Sequence, residues 1–371
     1  MQKLKLIVLI FLLPIAVTLG GDLDFRESFK VTPGGTFNLL SDYGEVEIKV
    51  WDKNEVLVLG EGISDKNSAG FTADQRGNSI FIVFKSNTRW SDGIRFIVTI
   101  PSYFNLNINT AGGDITILNN VTGSHVLFTA GGDIQTKNIT GDLDASTSGG
   151  EIYLGTISGK TNAKTAGGDI KVVDIAGEAS LLTSGGNIVA GNLGANAKLG
   201  TAGGDIQVNA VSGNASLKTS AGNINAKLLK GSGELVTAGG SIVVNSALGK
   251  LIAKTSGGEI SVKNLGTDAE IKTAAGDIKI TFSATNTGRV KVTNSAGDVV
   301  LYLPSNIRAS LTGTVSSYGW GDEVSDEAQS DFPATTKKSG GKVVVNCNIN
   351  GGNGATISVD LSMGNLRIKK I

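Results

Sequence analysis

Apolar and polar positions repeat with a short fixed period over about half of this chain. The repeated phrase is threonine, alanine or serine, two positions that are nearly always glycine, an acid or amide, and isoleucine. Its ten clear copies start at positions 110, 129, 147, 165, 183, 201, 219, 237, 255 and 273, with equal steps after a slightly longer first one. A unit of about 18 residues buries its apolar face only against its neighbours, which is typical of a solenoid.

Each repeat contains two runs of alternating apolar and polar residues. Counted from the leading threonine, positions 6 and 8 form one apolar face, positions 15 and 17 form the other, and position 11 is usually apolar. Alternation with a period of two predicts strands with one buried face. The glycines fall between the runs, where the chain turns and a positive φ is allowed. We therefore predict an all-β fold, a parallel β-solenoid (β-helix) with coils of about 18 residues.

The volumes at positions 15 and 17 compensate for each other. Leu143 is followed by Ala145, whereas Ala179 is followed by Leu181. Since both voids and overpacking destabilise a core, a constant summed volume indicates that both positions face the interior.

The leading threonine is present in all ten copies, and we predict a ladder of stacked threonine hydroxyls. The second and fifth positions alternate in type, which suggests a longer period of two repeats. Either one coil takes two repeats, about 36 residues, or coils of about 18 residues alternate so that like charges do not stack. We favour the second interpretation.

The chain outside the repeats keeps the β-alternation without the period. We divide it into a signal peptide (1–20), an N-terminal β cap with the first degenerate coils (21–109), the regular solenoid (110–303) and a C-terminal β cap (304–371). The segment 41–48 is a degenerate copy of the phrase, and the segment 362–368 resembles a last half-coil. The polar segment 316–341 is predicted to be a loop. Caps are expected because an open stack would expose a pairing edge.

The N-terminal segment 1–20 favours export. Lys3 and Lys5 precede an apolar run that is too short to cross a bilayer, and small residues follow it, so we predict a cleaved signal peptide and no integral membrane span afterwards. The protein is then periplasmic, on the cell surface or extracellular. The 33 basic and 33 acidic residues are interspersed, which gives no electrostatic reason to expect a nucleic acid partner. Cys347, the only cysteine, alternates with valines and is predicted to be buried.

Acidic residues form a column at the fifth position of the phrase. Calcium ligation of the repeat-in-toxin type needs a different glycine-rich nonapeptide twice per coil. A polysaccharide lyase or hydrolase concentrates its carboxylates at one place, whereas these are evenly spread. We favour a structural role, in which each side chain accepts backbone N–H bonds in the turn. His125, the only histidine, falls at the inward position 15 and is expected to be a satisfied or end-of-stack residue.

No catalytic, cofactor-binding or metal-binding residue is predicted, and no cofactor is expected. The candidate ligand-binding residues are aromatic side chains in polar surroundings, which can stack on sugar faces: Trp90, Tyr318 and Trp320.

Several short segments together resemble the bacterial "putative adhesin" family, a β-strand-repeat domain of unknown function. They are Val-x-Pro-Gly-Gly at 31–35, Gly-Glu-Val-Glu-Ile-x-Val at 44–50, Val-Thr-Ile-Pro-Ser at 98–102, and Gly-Asp-Val-Val-Leu-Tyr-Leu-Pro at 297–304. The resemblance implies an exported or envelope-associated β-solenoid and carries over no catalytic residues.

The leading functional hypothesis is an exported, non-enzymatic scaffold, an adhesin or cell-envelope binding protein whose partner is a cell-surface glycan or an envelope protein. Two alternatives stay open: a carbohydrate-active β-helix enzyme, and a structural envelope element that associates with itself.

Overall fold

The computed structural model describes residues 23–63, 70–85, 93–316 and 328–371. These residues form 37 β-strands and no α-helix. Within the described ranges, no helix is long and apolar enough to cross a membrane. The predicted signal peptide at 1–20 lies outside them.

The strands follow one another with short turns. The N-terminal strands are β1 (Leu23–Lys30), β2 (Thr36–Ser41), β3 (Glu45–Trp51), β4 (Glu55–Glu61), β5 (Phe71–Arg76), β6 (Ser79–Phe84), β7 (Arg95–Pro101) and β8 (Asn105–Thr110). The strands of the regular repeats are β9 (Ile115–Ile117), β10 (Val121–Thr122), β11 (His125–Thr129), β12 (Ile134–Thr136), β13 (Ile139–Thr140), β14 (Leu143–Ser146), β15 (Ile152–Ile157), β16 (Thr161–Lys164), β17 (Ile170–Ile175), β18 (Ala179–Leu182), β19 (Ile188–Leu193), β20 (Ala197–Gly200), β21 (Ile206–Val211), β22 (Ala215–Lys218), β23 (Ile224–Leu229), β24 (Gly233–Val236), β25 (Ile242–Ala247), β26 (Leu251–Lys254), β27 (Ile260–Leu265), β28 (Ala269–Ala275) and β29 (Ile278–Phe282). The C-terminal strands are β30 (Arg289–Ala296), β31 (Val299–Leu303), β32 (Ala309–Ser316), β33 (Ala328–Ser330), β34 (Ala334–Ser339), β35 (Lys342–Ile349), β36 (Ala355–Leu361) and β37 (Leu366–Lys370).

Each regular coil contributes to both of two parallel sheets, with one strand in each except in the first two coils, where the sheet-A part is divided into β9 and β10 and into β12 and β13. Sheet A contains the strands that begin at the phrase isoleucine, where Ile188 pairs with Ile206 and Ile206 with Ile224. Sheet B contains the strands of positions 15 to 18, where Leu199 pairs with Leu217. In both sheets, partners occupy the same position of consecutive repeats, so one repeat makes one coil. The solenoid prediction is confirmed, and a coil of two repeats is excluded.

The interior lies between the two sheets. Positions 6, 8 and 11 of sheet A and positions 15 and 17 of sheet B are buried in coil after coil, for example Ile206, Val208, Val211, Ala215 and Leu217. The inward direction predicted from the compensating volumes at positions 15 and 17 is therefore confirmed.

The N-terminal coils do not stack in chain order. The first coil, β2 and β3, lies between the second coil, β6 and β7, and the third coil, β8 and β9. The predicted degenerate phrase is in register, since Ser41 pairs with Thr110 and Val46 with Ile115. Antiparallel strands close this end, with β4 and β1 beyond β7 and with β5 beyond β6.

The C-terminal end shows the same interchange. The last coil in the chain, β36 and β37, lies between β30 and β31 on one side and β32 and β33 on the other. The segment 362–368 therefore belongs to a complete inner coil and not to a terminal half-coil. Two antiparallel strands, β35 and β34, then cover β32.

The prediction of a loop at 316–341 is wrong for the part of this segment that the structure describes. Residues 328–330 and 334–339 form β33 and β34, and Phe332 between them is buried. The sequence of β34 has no alternation of apolar and polar residues, because every residue of this strand is exposed and none belongs to a buried face. Lys337 and Lys338 on this outermost strand oppose edge-to-edge pairing with another chain. Cys347 on β35 is buried, as predicted.

Candidate functional site

The phrase threonines form a buried network that passes through glycines. The Thr201 hydroxyl donates to the carbonyl oxygen of Gly186 at 2.8 Å, and the Gly186 N–H donates to the Thr183 hydroxyl at 3.2 Å. The same two bonds recur from coil to coil, as in Thr219 with Gly204. The predicted ladder of hydroxyl to hydroxyl is therefore wrong, because a glycine peptide lies between each pair of threonines. These hydroxyls are occupied in the fold.

Close approach of the backbone explains the glycine at the fourth position of the phrase. A Cβ at Gly204 would lie 2.1 Å from the carbonyl oxygen of Gly186 in the coil before. At the third position, a Cβ on Gly203 would lie 3.2 Å from the nearest atom, and this position holds alanine at Ala221 and Ala275. Glycine at the fourth position is a packing requirement of the stack and leaves no cradle for a ligand.

The fifth-position side chains form a second ladder. Asp169 Oδ1 accepts the backbone N–H of Asn187 at 2.8 Å, Asn187 Oδ1 accepts that of Asp205 at 2.9 Å, and Asp205 Oδ1 accepts that of Asn223 at 2.7 Å. The predicted role as a backbone acceptor is confirmed, with the donor in the next coil. Alternation of Asp and Asn also separates like charges, which would otherwise stand about 4.8 Å apart.

Glutamates in this column pair with lysines instead. Glu151 lies 3.5 Å from Lys171 Nζ, and Glu259 accepts a hydrogen bond from Lys279 Nζ at 3.0 Å, which raises the pKa of Lys279. Within the described residues, no group of three or more His, Cys, Asp or Glu side chains is placed to hold a metal ion.

A long groove follows the solenoid axis on the outer face of sheet B. Its volume is about 580 Å³. One wall is the row of position 14, from Lys160 to Lys250, and the other is the row of position 16, from Ser180 to Ile252, which includes Lys198. Glu234 on the second wall is neutralised by Lys218 at 2.8 Å. The groove crosses six strands, roughly 24 Å at about 4.8 Å per step, and presents hydroxyl, amide and ammonium groups and the carboxylate of Glu178 to solvent.

A smaller cavity of about 340 Å³ lies on the N-terminal coils. It is lined by Tyr43, Glu45, Glu61 and Arg95. Arg95 is paired in register with Glu45 on β3 and with Glu61 on β4, so a basic side chain stands between two acidic ones.

The guanidinium of Arg95 forms an ion pair with the carboxylate of Glu47. Burial acts to raise the pKa of Glu47, but hydrogen bonds and the charges of Lys49 and Arg95 outweigh it, so the net shift is downward. Glu47 therefore stays ionised and holds Arg95 at the rim of the cavity.

His125 is buried without a hydrogen-bond partner on either ring nitrogen. It lies between Leu106 and Leu143 in the column of position 15. Burial lowers the pKa of the imidazole to about 4. The prediction of a satisfied or end-of-stack histidine is therefore wrong, because neither ring nitrogen is bonded and coils lie on both sides of the residue. The ring is neutral at physiological pH.

The three aromatic residues proposed from the sequence lie outside the described residues. Trp90 is in the segment 86–92, and Tyr318 and Trp320 are in the segment 317–327. The groove was missed because it is built from outward positions 14 and 16, whose polar residues look like an ordinary solvated face.

The family model of Toastrack DUF4097 matches residues 42–247 and 197–369, which together span nearly all of the described stack. The chain belongs to the Toastrack DUF4097 family. This agrees with the resemblance inferred from the short segments and with the coils described above. The comparison with curated proteins gave no match.

Solved structures similar to this Toastrack chain share little sequence with it. A putative adhesin from Bacteroides fragilis is 12% identical, with 75% of this chain and 95% of that chain covered and a TM-score of 0.24. A putative cell adhesion protein from Clostridium sporogenes is 8% identical, with 94% and 99% covered and a TM-score of 0.18. A putative lipid binding protein from Parabacteroides distasonis is 13% identical, with 75% and 92% covered and a TM-score of 0.22. At these scores the likenesses carry no argument about ligand or activity.

Proposed function

We propose that this protein is an exported, non-enzymatic adhesion scaffold whose sheet-B face binds cell-surface or envelope material. The observation that carries the proposal is the division of polar groups in the repeats. The repeated threonine, glycine and acidic groups bond within the stack, while the groove between Lys160 and Lys250 presents its side chains to solvent. A face of this length suits an extended ligand better than a small substrate.

The test compares two triple variants that remove equal charge from opposite faces. Lys160→Ala, Lys198→Ala and Lys250→Ala remove the lysines of the groove. The matched control is Lys137→Ala, Lys227→Ala and Lys263→Ala, at the exposed position 9 of sheet A.

Retention of the full chain on intact cells and on isolated envelopes is measured at low salt, where contacts with lysine are strongest. We expect the groove variant to lose at least half of the retained protein and the control variant to keep it. Equal losses in both variants, or no retention of the unaltered chain, would contradict the proposal.

A second candidate function, a carbohydrate-active enzyme, is supported by the cavity that holds Glu45, Arg95 and Glu61. Two carboxylates beside a basic residue are the groups that a polysaccharide-cleaving site needs. Incubation with a polysaccharide panel, followed by detection of new reducing ends or unsaturated products, tests it. Turnover that is lost in both Glu45→Gln and Glu61→Gln would establish this function over the first.

A further inference from the structure

The outer face of sheet B changes its chemistry along the stack. In space the strands β6, β2, β8 and β11 follow one another in sheet B. In each of them three residues point outward: the first, third and fifth of the segments 79–83, 36–40, 105–109 and 124–128, respectively. None of these twelve residues, called the neutral face below, is Asp, Glu, Lys or Arg. From β14 to β30, every strand of sheet B carries at least one charged residue at the same three positions.

Apolar and amide side chains lie side by side on the neutral face. Leu40, Val126 and Phe128 are exposed to 48%, 45% and 37%. Asn109 is paired between Leu40 and Phe128, so an amide separates the two apolar side chains. Asn107 Nδ2 donates to Asn38 Oδ1 at 3.2 Å, which fixes the orientation of both amides.

Charged residues limit the neutral face at both ends. On β5 the ion pair of Arg76 and Asp74 closes one end, and the Arg76 guanidinium lies 5.2 Å from the centre of the Phe81 ring. At the other end Asp144 follows Val126 in the same row. Phe128 is therefore the aromatic ring that the neutral face offers to solvent.

The size of the neutral face favours a small ligand. Four strands at about 4.8 Å and five residues at about 3.3 Å give an area of roughly 300 Å². A specific protein interface buries about 800 Å² on each partner. A second copy of this chain, or a globular partner, would have to extend over the charged strands, whereas a short linear ligand fits within the face.

The chemistry of the neutral face selects the ligand class. Without a cation it has nothing to neutralise a phosphate, sulfate or carboxylate. An aromatic ring packs against apolar C–H groups, and amides both donate to and accept from hydroxyls.

We propose that the neutral face binds a neutral oligosaccharide, with Phe128 packed against a sugar ring and the amides of Asn107 and Asn109 bonded to its hydroxyls. The inference rests on the proposed adhesive function and adds a second binding surface to sheet B, beside the groove, with its own ligand class.

The test is an affinity measurement on the full chain. The probes are short oligomers of glucose, galactose, mannose and N-acetylglucosamine, with uronic acid oligomers as the charged comparison. We expect binding to at least one neutral oligomer, and about a tenfold loss of affinity in Phe128→Ala and in Asn109→Ala.

The matched control is Leu182→Ala, which truncates an outward residue at the same place in a coil of the charged region. This variant should bind as the unaltered chain does. Circular dichroism verifies that each variant keeps its β-structure.

Three outcomes would overturn the inference: no neutral oligomer binds, only the uronic acid oligomers bind, or Phe128→Ala and Asn109→Ala bind as tightly as Leu182→Ala. If the chain is still retained on envelopes in any of these cases, the adhesive function stands and only its assignment to a neutral sugar fails. If the chain is also not retained, both proposals fail. If retention on envelopes requires an envelope protein, the partner of this chain is a protein and not an oligosaccharide.

Discussion

The neutral face and the charged strands that follow it have the same interior and opposite exteriors. Ile108 of β8 is buried in the column of position 17, which Leu199 and Leu217 occupy further along the stack. Outside, the four strands of the neutral face carry no charge at their outward positions, and each strand of sheet B from β14 to β30 carries at least one. The difference shows that stacking constrains the inward positions and the phrase, while the outward positions are free to specify a partner.

Because the two regions share one type of interior, core substitutions should lower the free energy of unfolding equally in both. Ile108→Ala below the neutral face and Leu217→Ala below the groove each remove a fully buried side chain. Each should lower the free energy of unfolding by about 2–5 kcal/mol. Urea denaturation of the two variants measures it, and a loss confined to one of them would show that the interiors are not equivalent.

A pH effect should be specific to His125, at the border of the two regions. Its folded pKa of about 4 lies below the ordinary value of 6.5, so the unfolded chain binds the proton more tightly. The stability of the neutral, buried state is then complete above pH 6.5 and decreases as the pH falls toward 4, by about 3 kcal/mol in total.

The variant His125→Leu, which matches Leu106 and Leu143 in the same column, should remove this part of the pH dependence. Urea midpoints at neutral pH and at a pH just above the folded pKa give the difference for both proteins. If the unaltered chain and the variant lose equal stability between these two conditions, His125 is not the group responsible.

The hydrogen bonds between the phrase threonines and glycines should stabilise the coils of the charged region. Thr219→Val keeps the shape of the side chain but leaves the carbonyl of Gly204 and the N–H of Gly222 without this partner. The expected loss is about 1–3 kcal/mol of unfolding free energy. Thr219→Ser keeps the hydroxyl and should lose clearly less. Similar losses in the two variants would mean that Thr219 stabilises the fold through packing of its methyl group and not through its hydrogen bonds.

The smallest effects on stability are expected on the two exteriors. Leu40→Ala on the neutral face and Lys198→Ala on the groove should each change the unfolding free energy by less than about 0.5 kcal/mol. Thermal or urea denaturation checks both. A large loss in Leu40→Ala would indicate that the neutral face supports the fold and is not free for a ligand.

The sequence predicted the regular coils well because their information is local and repeated. The spacing of the phrase isoleucines determines the register, and the compensation between positions such as Ala179 and Leu181 identified the inward faces. The fifth-position acids were correctly assigned to backbone acceptance, although the partner in the next coil depends on stacking and is not visible in one repeat.

The ends could not be predicted because their pairing is not local. Nothing in the residues of β2 shows that it lies between β6 and β8, so the four segments of the neutral face could not be aligned beforehand. Within each segment the missing charges were visible. Only the spatial order of the strands shows that they form one continuous surface.

The most direct test of this division transfers the exterior of one region to the other. The double variant Val126→Asp and Phe128→Ser gives β11 the outward residues that β14 has at Asp144 and Ser146, without altering an inward position. Binding of the full chain to the best neutral oligomer of the panel is titrated before and after the change. We predict a loss of affinity of at least about tenfold while the urea midpoint is unchanged. Unchanged binding, or a loss of stability as large as that of a core variant, would contradict the account.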